Sequence, residues 1–282
     1  VVIKLVGSVA ASPSGQLTAS FSENPQLPFS RLRLLLHGGP RAPLANPQTC
    51  GTFTTSALLE PWSSPFTSPA LSQSSFAIAG CDGFPFAPAL TAGTTNTAAD
   101  AYTPFVFSIA RHDGEQDFAS TSVQLPQGLL ARIAGVPQCP EAQATSGTCS
   151  PASRVGTATV AAGSGTSPLF LQGPVYFTGA YNGAPFGLSV VVPAIAGPFD
   201  LGDVVVRAGI AINPATAAAT VSSAAIPTVV DGVQVRLKQI TVAVERPEFM
   251  LNPTNCAAQE IGVSVVGSAG AVATPSVPFA AV

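Results

Sequence analysis

The sequence predicts an all-β fold, two antiparallel β-sandwich domains of the immunoglobulin-like kind with one short helix, and three observations lead there. Turn formers run the whole length of the 282 residues, with 26 Gly and 27 Pro. Straight-chain helix formers are scarce, with a single Met and only 9% charged residues. Short apolar runs rich in Val and Thr recur about every 8 to 15 residues between Gly, Pro, Asn or Asp, the rhythm of antiparallel sandwiches.

The runs read as strands are residues 1–7, 15–22, 30–38, 50–59, 74–80, 103–111, 121–126, 154–162, 174–180, 186–195, 202–213, 217–225, 233–245 and 261–268. Alternation of apolar and polar residues, as in GDVVVRAGIAIN, gives each of them one face for a core. This is enough strand for two sandwiches. The segment 83–102, GFPFAPALTAGTTNTAADAY, has no sustained period, so the boundary is expected near residue 100, dividing the chain into 1–100 and 101–282. Asn213-Pro214-Ala215-Thr216 predicts a hairpin turn, with Pro at the second position of a type I turn. A helix is expected within 127–144, where Leu129, Leu130, Ile133 and Ala134 follow Pro126 at helical spacing and Gly135 and Pro137 end the pattern.

Mean hydropathy is +0.41, yet Gly and Pro interrupt every charge-free stretch before the ~20 apolar residues of a spanning helix, so no membrane span is expected. Eleven basic residues against 14 acidic ones, scattered along the chain, leave no footprint for a nucleic-acid backbone.

Of five cysteines, Cys139 and Cys149 bracket a short loop and Cys50 and Cys81 are the next natural pair, so both are expected as disulfides. Cys256 is left unpaired or intermolecular, the alternative being a buried free thiol. Disulfides together with the composition imply an extracellular or cell-surface location, with any leader removed before Val1.

Little in the chain points to catalysis. Two histidines, His37 and His112, offer the only ordinary proton shuttles, and both read as strand-end or loop residues. No GxSxG turn is present, and the Gly-rich 161–167 lacks the Lys of a phosphate cradle. No catalytic residue and no cofactor is therefore assigned. Arg111-His112-Asp113-Gly114-Glu115-Gln116-Asp117 is the one dense polar cluster. Asp113, Glu115 and Asp117 alternate as calcium ligands do, but the full loop pattern is missing and Asp113-Gly114 reads better as a tight turn. Trp62 is either a sugar-stacking platform or a packing residue under a loop.

The strings ENPQLPFS (23–30), GGPRAPLA (38–45), CGTFTT (50–55), EPWSSP (60–65), DGEQ (113–116), GVPQCPEAQATSGTC (135–149), GAPFGLSVVVPAIAGPFDLG (183–202) and RPEFMLNPTNC (246–256) span nearly the whole chain. Together they resemble a family of large secreted or surface β-rich proteins of high-GC bacteria that carries no assigned activity. The resemblance implies an exported β-rich region that usually belongs to a longer protein, and transfers no catalytic residue.

The functional expectation is a self-assembling subunit of an extracellular filament, sheath or surface layer, a homo-oligomer or polymer held by strand edges or apolar contacts. A chain this poor in charge lacks the guards that keep sheet edges apart. The nearly uncharged stretches 1–11 and 261–282 either add a strand to a neighbour or pair within their own chain. O-linked glycan on the abundant Ser and Thr is a further way to cover such a surface. The alternative is a cell-surface adhesin or glycan-binding module that uses sandwich loops.

Overall fold

A computed structural model describes residues 4–27, 31–38, 44, 46–47, 49–64 and 66–282. It is nearly all β, and it divides into two compact units, Val1–Phe84 and Pro85–Val282.

Among its described residues the first unit holds two hairpins. Strand β1 (Ser8–Ala11) pairs with β2 (Leu17–Ser20), and β3 (Gly51–Leu59) pairs with β4 (Ala70–Ile78) over its whole length, from Gly51↔Ile78 to Leu59↔Ala70. The Cys50–Cys81 disulfide ties the base of the second hairpin. Residues 31–38 and 4–7 form no strand. Leu34, Leu35 and Leu36 are consecutive, so neither side of that segment is polar and no alternation fixes a register. Ser30 and the first three residues of the 1–7 run lie outside the described residues.

The second unit is built from β5 (Ala89–Thr94), β6 (Phe105–Ala110), β7 (Phe118–Gln124), β8 (Leu130–Ala131), helix α1 (Glu141–Ser146), β9 (Arg154–Ala162), β10 (Leu169–Thr178), β11 (Phe186–Ala196) and β12 (Phe199–Ile212). It continues through β13 (Ala219–Ser223), β14 (Val229–Val230), β15 (Val233–Gln234), β16 (Leu237–Val244), β17 (Met250–Leu251), β18 (Gln259–Gly267), β19 (Val272–Ala273) and β20 (Ser276–Phe279). Twelve of these strands make one antiparallel sheet in the order β19-β18-β7-β13-β12-β11-β10-β9-β16-β6-β5, with β20 also on β18. The sheet curls until its ends approach. Beyond β20, the Val282 N–H donates to the Thr97 carbonyl at 2.7 Å, and the Ala99 N–H donates to the Val282 carbonyl at 3.0 Å, just past β5.

The expected pair of immunoglobulin-like sandwiches is not confirmed: the strand pairing of residues 85–282 gives a single continuous curled sheet. The units also divide earlier than residue 100, because Ala89–Thr94 pairs with Phe105–Ala110 from Ala89↔Ala110 to Thr94↔Phe105 and so belongs to the second unit.

The alternation along each strand decides which face turns inward. Phe105, Phe107 and Ile109 on β6, Val175 and Phe177 on β10, and Ile261, Val263 and Val265 on β18 are buried at every second position and form the core. Phe177 sits against Phe186 at 5.7 Å and Phe249 at 6.3 Å between ring centroids. The expected helix at 127–144 is displaced to Glu141–Ser146. Gly128 and Gly135 both have positive φ, Leu129 enters the core, and Leu130–Ala131 pairs with Met250–Leu251, so the apolar spacing read as helical is used by a turn and a short strand. The Asn213–Thr216 turn does join β12 to β13, and the Asn213 side-chain oxygen accepts from Ala215 N–H at 2.9 Å and Thr216 N–H at 3.2 Å.

Candidate functional site: an unpaired ribbon and an apolar lumen

The β3–β4 hairpin is a two-stranded ribbon that pairs with no other strand among the described residues. On one face Phe53 stacks on Phe76 at 5.9 Å. On the other, the Thr54 and Ser75 hydroxyls lie 3.2 Å apart and the Gln73 amide donates to Ser56 at 3.1 Å. Both faces are exposed almost throughout, and Leu58, Leu59, Leu71, Trp62 and Phe66 stand exposed towards the tip. Glu60 is the only charge between Cys50 and Cys81.

The curled sheet encloses a cavity of about 650 Å³. Its wall is the inner face of the strands, for example Leu188, Val190 and Val192 of β11 and Val204, Val206 and Ile210 of β12. The strand registers give it two ends. At one, the β9–β10 and β11–β12 turns meet the start of β16, since Ala162 pairs with both Leu169 and Leu237 and Ala196 pairs with Phe199. Here Gln234 and Arg236 supply polar lining, and the segment from Ala224 to Arg236, with its small β14–β15 hairpin, contributes Ile226, Val230 and Val233. Near the other end are Leu129, Phe249 and Met250.

Next to Arg236 the 111–117 loop is held by ion pairs and main-chain bonds. The buried Arg111 guanidinium pairs with the equally buried Asp117, and also donates to the Leu237 carbonyl at 2.7 Å and the Glu115 carbonyl at 2.9 Å. Burial pushes the Arg111 pKa down, and Asp117 works against that shift. Glu115 accepts from the His112 N–H at 3.0 Å. Asp113 accepts from Gly165 N–H at 2.7 Å and from Lys238 at 3.1 Å. Its partial burial alone would raise its pKa, but those two donors hold it below the ordinary carboxylate value. The three carboxylates of the weighed calcium loop are thus aimed at three different partners, and among the described residues no group of three or more His, Cys, Asp or Glu is placed to hold a metal ion.

No protein family, curated protein or solved structure matches this chain.

Cys139 and Cys149 are bonded and, with Ala144, Tyr176 and Val191, form a small second core between α1 and the outer face of the sheet. Cys256 is free and exposed, which removes the alternative of a buried thiol. His37 and His112 are exposed. Trp62, weighed for sugar stacking, is exposed, as is Tyr102, whereas Tyr176 is buried and Tyr181 is covered by the Arg207 guanidinium at 4.4 Å from its ring centroid. Sequence reading missed both the ribbon's isolation and the lumen. The period-2 apolar pattern marks inward-facing residues, but it does not say that their sheet curls around a void.

Proposed function

We propose that this protein is a non-enzymatic, self-assembling structural subunit of the extracellular space or cell surface, and that copies join along the edges of the β3–β4 ribbon. The observation that carries this reading is the ribbon itself: two nine-residue strands with unpaired outer edges among the described residues and one charge between their flanking cysteines. An isolated two-stranded hairpin is marginal in water, and three or more strands are needed for a stable sheet. A second copy's ribbon supplies those strands through main-chain hydrogen bonds, while the alternating Thr, Ser and Phe side chains set the register. Natural edges are protected by Lys, Pro or bulges, and the described strand residues of the ribbon contain none of the first two. The two disulfides, and the absence among the described residues of a helix long and apolar enough to cross a membrane, are compatible with this location.

Sedimentation velocity of the unglycosylated chain over a wide concentration range tests the proposal. Wild type is expected to form oligomers that Thr54→Lys with Ser74→Lys disperses; a wild-type chain that stays monomeric at the highest concentration rules the reading out. A second reading, an adhesin or glycan-binding module, rests on Trp62, which is 61% exposed near the ribbon tip. A glycan-array screen in which Trp62→Ala abolishes a hit would favour it.

A further inference from the structure

We propose that the lumen of the curled sheet is a binding site for one long-chain fatty acid, with the hydrocarbon chain inside the sheet and the carboxylate at Arg236. The cavity of about 650 Å³ falls within the range of small-molecule sites, roughly 300–1,000 Å³. Its lining follows the inner face of β11 from Phe186 to Ala196, ten residue steps or about 33 Å at the rise of a strand.

The chemistry of the wall selects what fills it. Ordered water needs two to four polar partners, and an apolar cavity offers none. Along its middle the wall is Val, Leu, Ile, Ala and Phe, interrupted by Thr121 and Ser223, where the Thr121 N–H donates to the Ser223 hydroxyl at 3.0 Å. An empty void of this kind is destabilising in proportion to its volume, so an apolar occupant stabilises the fold by filling it. The charged residue of the lining, Arg236, stands with Gln234 at the end where β16 begins. Arg236 is 28% exposed there, and its Nε lies 4.0 Å from an Asp117 oxygen already paired with Arg111. A cation that shares its carboxylate with a second guanidinium is suited to take an anionic head group, and a guanidinium binds a carboxylate through two parallel hydrogen bonds. Leu169 and Val233, both exposed, form an apolar rim at this end over which a chain can enter.

This site lies wholly within residues 85–282 and does not depend on assembly through the ribbon. The test uses the full chain, delipidated and checked by circular dichroism, titrated with parinaric acid followed by its fluorescence and then challenged with hexadecanoic acid or 1-hexadecanol. Saturable uptake of one probe per chain is expected, with the acid displacing it better than the alcohol. Val190→Trp places an indole in the lumen and is expected to weaken binding about tenfold or more. Arg236→Gln is expected to leave alcohol binding in place and to reduce the preference for the acid about tenfold. Absence of saturable binding to folded wild type, or equal binding to a folded Val190→Trp chain, overturns the site. Should Val190→Trp not fold, Arg236→Gln carries the test, and an unchanged ratio of acid to alcohol overturns the proposal.

Discussion

The Arg207 guanidinium grips the Glu141 carboxylate with two parallel bonds, Nη1 to Oε1 at 2.8 Å and Nη2 to Oε2 at 2.9 Å, and so fastens helix α1 to strand β12. Arg207 is buried while Glu141 is largely exposed. The hydrogen bonds from Arg207, ahead of the charge attraction, hold the Glu141 pKa below its ordinary value of 4.5. A carboxylate with a depressed folded-state pKa adds stability that is present above the unfolded value and fades as pH falls through the folded one. Glu141→Gln is therefore expected to lower the melting temperature at pH 7, and the gap to wild type should close as pH drops below about 4.5. Thermal melts of both proteins from pH 7 to pH 3 check this, and a gap independent of pH would show that the pair acts by packing alone.

The same helix has a second fastening. With six residues, α1 is too short to persist in water without tertiary support. The Cys139–Cys149 bond closes a loop of ten-residue separation over it. Closing a loop of this size stabilises by roughly 2–3 kcal/mol in the chain-entropy account. The double variant Cys139→Ala with Cys149→Ala is expected to lose about that much in urea denaturation, with the m-value equal or slightly larger because the uncrosslinked denatured chain exposes more surface. An unchanged midpoint would mean that Arg207, the Ser189 hydroxyl, which donates to the Ala144 carbonyl at 2.7 Å, and the apolar contacts of Ala144 already hold the helix.

Asp117 and Arg111 form a buried pair, and removing one partner of such a pair leaves the other charge uncompensated. Asp117→Ala is expected to cost about 3–5 kcal/mol by chemical denaturation. Because Asp113, Glu115 and Asp117 each have separate partners, calcium at millimolar concentration is expected to leave the melting temperature where it is. A rise on adding calcium that EDTA reverses would show that the loop rearranges into a cation site.

What the sequence revealed of this fold is what period-2 alternation can encode. Phe105-Val106-Phe107-Ser108-Ile109-Ala110 is buried at every second residue, as its pattern requires. Strand β5 was missed because Ala89-Leu90-Thr91-Ala92-Gly93-Thr94 is small and glycine-containing, and its strand identity comes from pairing with β6. Leu129, Leu130, Ile133 and Ala134 satisfied a helical template by spacing alone, whereas the positive φ of Gly128 and Gly135 governed the chain there. The lumen was not legible at all. Curl is the accumulated twist of a dozen strands and no local string carries it. Arg236 looked like one scattered cation among eleven until the sheet placed it beside Arg111 and Asp117.

Gly173 marks where β10 and β11 approach too closely for a side chain. A Cβ at this position would overlap the Val191 carbonyl, which is fixed backbone in the middle of the sheet. No positive φ is involved, so the constraint is space alone. The neighbouring register of β10 against β9 shifts between Val175 and Tyr176, so the strand is already irregular at this point. Gly173→Ala must push β10 away from β11 and break ladder bonds that line the lumen wall, at a cost of about 1–3 kcal/mol typical of overpacking. Gly93 on the edge strand β5 has open space, with nothing within 4 Å of where a methyl group would sit, which makes Gly93→Ala the matched control. Urea denaturation is expected to place Gly173→Ala well below wild type and Gly93→Ala at or slightly above it. Equal stability of the two variants would show that the sheet yields at Gly173 without loss.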